Sequence, residues 1–590
     1  MGLRENKREM PSTVTLAEYL FTRLHQLGVR SIHGVPGDYN LNLLDHIEPS
    51  GLHWVGNCNE LDAGYAADGY ARINGMGALI TTFGVGELSA VNAIAGAYCE
   101  RAAVVHIVGT PERAIQDARL RVHHTFADGN FERFAQMHAQ ITVAQASLKD
   151  SQSAPEQIDV VLKQCLLHSR PVYLQVPVDL VDASVDAGRL WSECLSAEIT
   201  STDKTTPAHD LALSIVLEKI KAANNPTILV DGESRALRIT EDVQRIIDIT
   251  KWPTWVTVFG KGLVDETASN VHGVYRGSYD PKAKAFVDNS DLVLCFGPHF
   301  STTNTFDSTS IPPQAVTITY KDNEIRIGDQ IFRDIPTRSA VSHLRRELNA
   351  LDLQFSGTKA ASLGCKAHKV CISSLPSEQR ITQDSLWYLL GNFIRSGDII
   401  LGETGTAGYG VQEMTLPRHT RVFAPVTWLS IGYMLPAAQG AALAQRELIA
   451  ASSYHGIGQA RTVLCIGDGS FQMTVQELST IVREKLDVII FLLNNDGYTI
   501  ERCIHGLEKQ YNDIASWRYL QAPYFLGADD NVFTATVRTS GELQQVLASK
   551  EMSSGRGLRM VEIVLDREDV LEGPLLDLLR EEKKAVSGES

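Results

Sequence analysis

Short apolar runs recur along this chain, each bounded by glycine, proline or polar residues, and most are separated from the next by a stretch with helical spacing. Ser31 to Gly34, Ala78 to Thr82, Ala103 to Val108 and Pro171 to Pro177 form one group. Thr227 to Val230, Thr254 to Val258 and Leu292 to Phe296 form a second, and Val463 to Ile466 and Val488 to Leu493 belong to a third. Runs that are apolar at successive positions predict strands buried on both faces, the pattern of parallel sheets covered by helices. The intervening periods predict those helices: Leu16 to Leu27, Leu88 to Tyr98, Thr240 to Thr250, Pro281 to Val287, and Ser470 to Glu484 with Phe471, Val475, Leu478 and Val482 on one face. This alternation predicts an α/β protein built from three doubly wound parallel sheets. Polar stretches near Ser192 to Pro207 and Phe355 to Gln383 read as linkers, placing domains at residues 12–191, 207–354 and 380–566. Glu568 to Ser590 is charged and is expected to end in a frayed tail. No repeat of solenoid length is visible.

Composition narrows the partners. The 590 residues carry 54 basic and 70 acidic side chains, a net charge of −16, with no polybasic run. Nucleic acid and anionic membrane are therefore poor ligands. Nine cysteines, with no Cys-x-x-Cys pair, fit reduced thiols in the cytosol. Met1 to Met10 is charged and lacks an apolar core, and no stretch approaches the roughly 18 apolar residues of a membrane span. The expectation is a soluble cytoplasmic protein acting on a small molecule.

The strongest chemical signal lies between Gly467 and Gly497. A strand ends in Gly467-Asp468-Gly469-Ser470, a crossover helix follows, and the next strand ends in Asn494-Asn495-Asp496-Gly497. Ligands of open α/β sheets sit outside the carboxyl ends of the strands, so Asp468 and Asn495 are expected as neighbours. A carboxylate, an amide oxygen and the Gly497 carbonyl are the hard oxygen donors that Mg2+ prefers, and Gly469 and Ser470 open a helix N-terminus suited to a phosphate. Two unrelated strand-to-turn junctions are the bland alternative, since Gly, Asp and Asn are common at turns. Order and spacing favour a metal-diphosphate clamp. A competing signal, Gly84-Val85-Gly86-Glu87-Leu88-Ser89, approaches a dinucleotide fingerprint. Ser89 replaces its third glycine, and the next strand ends in Gly109-Thr110-Pro111 with no carboxylate for a ribose.

The clamp resembles the diphosphate-binding motif of thiamine-diphosphate enzymes. Gly34-Val35-Pro36-Gly37-Asp38, Asn59-Glu60-Leu61-Asp62-Ala63-Gly64, His123-His124-Thr125, Glu403-Thr404-Gly405-Thr406 and Asn495 to Glu501 are similar to the pyruvate decarboxylase and indolepyruvate decarboxylase group, and the likeness runs from about Thr13 to Val564. The resemblance implies pyrimidine-binding, central and diphosphate-binding domains, with thiamine diphosphate and Mg2+ as cofactors. It implies release of carbon dioxide from a 2-oxo acid, pyruvate first, to leave an aldehyde.

Site residues follow from the same resemblance. Glu60 matches the acid that activates the aminopyrimidine, a role suited to a buried carboxylate with a raised pKa. Asp38, His123, His124 and Glu501 match the proton donors around the reacting carbon. Asp468, Asn495 and Gly497 match the metal ligands, with Gly469, Ser470 and Thr404 also at the cofactor. Ile431 matches the apolar wedge that bends the cofactor, and Leu429 stands where the family usually has glycine. Thr303, Gly408 and Ile500 match the substrate pocket. Thr303 and Gly408 leave space that would suit larger branched or aromatic 2-oxo acids, including phenylpyruvate and indolepyruvate, while Leu429 and Ile500 refill it. Because the acids and the clamp fall in different segments, family architecture implies a homodimer or a pair of dimers. Asp231-Gly232-Glu233-Ser234-Arg235 lacks the cysteine that yeast-type members use for substrate activation, so no thiol activation is expected there. A carboligase and a non-catalytic paralogue are the rival readings, disfavoured by the histidine pair and by the complete set of acids.

Overall fold

The apolar runs pair side by side in three sheets. The structure, a computed structural model, describes residues 11–192, 195, 206–351, 376–554 and 556–587. Most of both expected linkers lies outside these residues. The chain packs as two units, drawn from residues 1–199 with 439–447 and from residues 200–438 with 448–590.

The first unit holds β1 (Thr13–Thr15), β2 (Ser31–Gly34), β3 (His53–Gly56), β4 (Gly77–Thr82), β5 (Val104–Thr110), β6 (Gln145–Ser147), β7 (Val172–Pro177) and β8 (Ser184–Asp186). Six of them form a parallel sheet in the order β3-β2-β4-β5-β7-β6, and β1 pairs antiparallel with β8. Strands β4, β5 and β7 are buried throughout, which explains their unbroken apolar pattern. Helix Leu16–Gln26 starts where predicted because Thr15 and Glu18 close a capping box. Its Arg23 pairs with Asp159 at 2.8 Å within the core.

The second unit contains two sheets. The central one comprises β9 (Pro226–Val230), β10 (Thr254–Val256), β11 (Val271–Val274), β12 (Leu292–Phe296), β13 (Thr317–Lys321), β14 (Glu324–Ile327) and β15 (Gln330–Arg333), ordered β11-β10-β9-β12-β13-β14-β15. Its last three strands turn antiparallel, a local exception to the expected all-parallel sheet. The short Asp322-Asn323 turn between β13 and β14, with Asn323 at φ +49°, makes that reversal possible without a crossover. The other sheet comprises β16 (Ile399–Gly402), β17 (Arg421–Phe423), β18 (Thr462–Gly467), β19 (Val488–Asn494), β20 (Phe533–Val537) and β21 (Arg559–Val564), parallel in the order β17-β16-β18-β19-β21-β20.

Two helical expectations need correction, and one helix was not expected. Leu88 to Tyr98 is interrupted at Ala90, where Ser89 Oγ donates back to the Val85 carbonyl at 2.8 Å and helix Val85–Ser89 gives way to Val91–Cys99. The helix expected over Ser470 to Glu484 is two helices, Asp468–Thr474 and Leu478–Arg483, joined by a 3₁₀ turn. Thr474 leaves the helical region at φ −138° while its hydroxyl donates to the Gly432 carbonyl at 2.7 Å. The charged C-terminal stretch carries a helix, Pro574–Ser587, that was not expected, and the end expected to fray lies outside the described residues. Leu575 and Leu579, one turn apart, bury against Cys503 and Leu507, and Glu582 accepts the Gly506 N–H at 2.7 Å.

Candidate active site

In each sheet the strand order reverses where the chain crosses from one half to the other: between β2 and β4, between β9 and β12, and between β16 and β18. Connections diverge there and leave a crevice at the carboxyl ends. In the second unit, Glu403 and Thr404 follow β16, Asp468 follows β18 and Asn495 follows β19. Asp468 is 1% exposed and accepts the Gly469 N–H at 2.8 Å and the Gly497 N–H at 3.1 Å. Burial pushes its carboxyl up to about 6. Positive φ at Asp496 (+57°) and Gly497 (+119°) folds the turn back toward it, and a Cβ on Gly497 would stand 2.4 Å from the Asn512 carbonyl.

The Asn495 amide oxygen faces only acceptors: Asp468 Oδ1 and the Gly497 carbonyl, each 3.1 Å away. Turning the amide over would let its nitrogen donate to both and its oxygen accept from Thr499 Oγ1 at 2.8 Å. Thr499, however, already directs its hydroxyl proton to the Arg567 carbonyl at 2.9 Å, leaving its lone pairs for the amide nitrogen. The unturned amide then completes a triangle of oxygens with two edges of 3.1 Å. Neighbouring ligands of an octahedral Mg2+ stand about 3 Å apart, so the donors fit that cation in chemistry and in these two spacings, with positions left for phosphate and water oxygens. Gly469 and Ser470, both buried, occupy the first turn of helix Asp468–Thr474; a Cβ on Gly469 would collide with the Tyr498 ring at 2.5 Å.

The remaining residues of this unit stand on separate elements. Leu429 and Ile431 are half-buried in the loop after β17, and Leu429 adopts φ +54°, the left-handed backbone that favours glycine. Glu403, not assigned a role from sequence, accepts the Thr404 N–H at 2.8 Å and the Met434 N–H at 2.9 Å, fastening the end of β16 to the residue after that loop. Burial pushes its carboxyl up to about 7. The Glu-Thr motif marked the segment, but nothing in it announced the Met434 contact. Thr303 is exposed and its hydroxyl donates to the Val426 carbonyl. Gly408 lies in helix Thr406–Gly410, where a Cβ would meet the Glu403 carbonyl at 3.1 Å. Ile500 packs with Tyr409 against the Cys503, Leu507, Leu575 and Leu579 cluster, and Glu501 is exposed on the same short helix, Thr499–Ile504.

In the first unit, Asn59 caps helix Glu60–Asn74 by accepting the Asp62 N–H at 2.8 Å, which sets Glu60 at the first helical position. Glu60 is half-buried and its pKa is raised by burial, in the direction expected of the activating acid. The turn after β4 comes close to it: a Cβ on Gly86 would stand 3.0 Å from Glu60 Oε1. Asp38, following β2, hydrogen-bonds His123 Nε2 through Oδ2 and lies 3.8 Å from His124 Nε2 through Oδ1. The three therefore form one cluster. Tyr39 stacks on His123 at 4.9 Å, and His124 takes φ +61° with its carbonyl pressed against Gly84, where a Cβ would lie 2.0 Å away. Beneath that glycine, fully buried Glu87 accepts the Gly84 N–H at 2.8 Å and the Tyr173 hydroxyl at 2.6 Å, and burial pushes it up to about 7. Glu87 thus occupies a turn-supporting place in the Gly84 segment that superficially suggested a dinucleotide loop.

Sequence comparison agrees with this geometry. Three family models match: the thiamine pyrophosphate enzyme N-terminal binding domain over residues 14–138, the central domain over 213–348 and the C-terminal binding domain over 403–553. The sheets and strand-end acids described above thus belong to a thiamine pyrophosphate enzyme fold. Among curated relatives, the pyruvate decarboxylase of Aspergillus parasiticus is 52% identical over 94% of this chain and 96% of its own. That of Aspergillus fumigatus is 40% identical over 95% and 96%, and pyruvate decarboxylase isozyme 1 of Saccharomyces cerevisiae is 38% identical over 94% and 96%. The chain belongs to the pyruvate decarboxylase family of thiamine pyrophosphate enzymes.

Proposed function

We propose that the protein converts pyruvate to acetaldehyde and carbon dioxide with thiamine diphosphate and Mg2+. The observation that carries this reading is the oxygen triangle of Asp468, Asn495 and Gly497 in a chain of this family. Those residues would hold the cation, and Gly469 and Ser470 would receive the diphosphate at the helix N-terminus. When bound, thiamine diphosphate supplies the electron sink that a 2-oxo acid needs in order to lose carbon dioxide.

The chain's own groups do the rest. Glu60 holds and returns a proton at its carboxyl oxygen, a task favoured by its raised pKa. Asp38 orients His123 through Nε2, and together with His124 and Glu501 they deliver the proton that releases aldehyde. Ile431 would wedge the cofactor, with Thr404 and the Leu429 backbone beside it. Thr303, Gly408 and Ile500 would bound the substrate. Larger 2-oxo acids are not the favoured substrates, because the relatives carry the name pyruvate decarboxylase. The working form is a homodimer or homotetramer in which one chain's Glu60 serves its partner's clamp. Among the described residues no helix is long and apolar enough to cross a membrane, and a cytoplasmic location suits the net charge of −16 and the unpaired cysteines.

A panel of 2-oxo acids from pyruvate to phenylpyruvate and indolepyruvate, assayed for aldehyde with cofactor and Mg2+, tests the proposal. Acetaldehyde from pyruvate at the highest kcat/KM supports it. Acetolactate as the dominant product, or no carbon dioxide from any member of the panel, rejects it.

A further inference from the structure

A second cluster of ligating side chains stands in the second unit, apart from the strand ends described above. Glu241 lies in the first turn of helix Thr240–Thr250, beside the central sheet; His419 lies two residues before β17; His455 lies in the connection between helix Met434–Ala450 and β18. One carboxylate oxygen and two imidazole nitrogens come within 4.8 Å of one another. The two rings face each other, with centroids 4.3 Å apart and planes 24° from parallel.

Backbone geometry sets this pair apart from ordinary surface histidines. His419 has φ +66° and His455 φ +51°, so both residues hold the left-handed conformation that glycine or asparagine fills at less cost. Two strained backbones that converge on facing imidazoles resemble the strain stored at binding sites. Arg418 and Arg421 both lie in the electrostatic surroundings of the two imidazoles. Glu241 and Asp265 set negative charge against the two arginines.

We propose that Glu241, His419 and His455 bind one Zn2+, or a transition-metal ion of similar softness, with water as the fourth ligand. Two imidazoles and one carboxylate suit a borderline cation, whereas the all-oxygen triangle at Asp468 suits Mg2+, so the chain sorts two metals by donor type. Ligand atoms around tetrahedral Zn2+ stand about 3.3 Å apart, a closure that rotation of exposed Glu241 and His455 side chains supplies. The ion ties the central sheet's helix to the segments that enter β17 and β18. Both segments meet their strands at the amino ends, while Thr404, Asp468 and Asn495 stand at carboxyl ends, so the ion does not compete with the cofactor.

The test uses chelator-treated enzyme reloaded with thiamine diphosphate and excess Mg2+. Zn2+ is titrated calorimetrically and Co2+ by visible absorption, in wild type, E241Q and the double variant H419Q/H455Q. Wild type binds one more Zn2+ per chain than the double variant, and it shows additional intense Co2+ bands of a tetrahedral site that the double variant lacks. E241Q keeps the stoichiometry with affinity reduced about tenfold or more. The difference in stoichiometry isolates this site from any Zn2+ taken up at Asp38, His123 and His124, which all three proteins share. Equal melting temperatures in chelator show that the variants fold. Identical Zn2+ stoichiometry and identical Co2+ spectra in wild type and H419Q/H455Q overturn the proposal.

Discussion

An Asp-Gly pair ends a strand beside the switch point in both sheets of the second unit, and the two pairs have opposite environments. Asp231, after β9, is fully buried and accepts the Gly232 N–H at 2.6 Å, the His299 N–H at 2.6 Å, the Thr257 hydroxyl, and Asn304 Nδ2 at 3.0 and 3.1 Å. Four donor groups use both oxygens, so the carboxylate is consumed by the protein. Asp468, after β18, takes the Gly469 and Gly497 N–H groups and then faces the amide oxygen of Asn495, which in turn faces the Gly497 carbonyl. The first arrangement is a closed crevice and the second an open one. The dipeptide and its topological place do not distinguish them; the donors supplied by distant residues do.

Exchanging the charge at each end gives the largest contrast. Asp468→Ala should weaken retention of Mg2+ and thiamine diphosphate by about 100-fold or more, with little loss of stability, because it removes a ligand from a site short of donors. Asp231→Ala should leave the affinity of the folded protein within a few fold and cost roughly 2 to 4 kcal/mol, since its donors lose their acceptor. Calorimetric titration with cofactor, paired with urea unfolding, reads both. If Asp231→Ala loses the cofactor at unchanged stability, the closed crevice is not closed.

Glu60→Gln sharpens the comparison from the other unit. It retains size and the helix start at Asn59 while removing the proton-holding group. We expect kcat to fall by about 10² to 10⁴, with cofactor affinity changed far less than in Asp468→Ala. Turnover at the wild-type rate would strip Glu60 of its assigned role and leave the clamp without a chemical partner.

Much of this was legible before any coordinates. β2 and β12 begin and end at the residues expected from their apolar runs, and β18 and β19 exceed theirs by a residue or two. A fully buried parallel strand writes its pattern on every position. The oxygen triangle was legible because its members sit at fixed offsets from two such strands. What escaped notice depended on distant partners: Glu403 needs Met434, and Glu87 needs Tyr173. The C-terminal helix was hidden by charge, although Leu575 and Leu579 carried the one-turn spacing that buries it. His419 and His455 share no spacing signal, because only tertiary folding brings them face to face.

Glu403 supplies an intermediate case, a strand-end carboxyl that is fully buried yet held by backbone N–H groups. Its pKa is raised from 4.5 to about 7, chiefly by burial. A group raised in the folded state contributes stability that is complete below its unfolded pKa and lost as pH rises through the folded one. Between pH 5 and pH 8.5 the cofactor-free protein should therefore lose up to roughly 3 kcal/mol at this residue. Glu403→Gln should gain on wild type by that amount at the alkaline end relative to the acid end. A wild-type minus variant difference that stays flat across the range would show that Glu403 is already ionised at pH 5, its charge held by the Thr404 and Met434 N–H groups.

Leu429 provides the smallest test, on the loop after β17. At φ +54° a β-carbon crowds the backbone, and the cost to an L-residue is about 1 kcal/mol or more. Leu429→Ala and Leu429→Gly both delete the half-buried side chain, so the difference between them isolates the backbone. In an ordinary helical or extended position alanine is the more stable of the two. Here glycine should be more stable by roughly 1 kcal/mol, measured by thermal unfolding of the two variants. Alanine ahead of glycine would mean that the loop does not hold the left-handed turn. If both variants also keep thiamine diphosphate within about threefold of wild type, the leucine side chain points clear of the site and its peptide alone serves the cofactor; a larger loss in both would assign the side chain to the pocket wall.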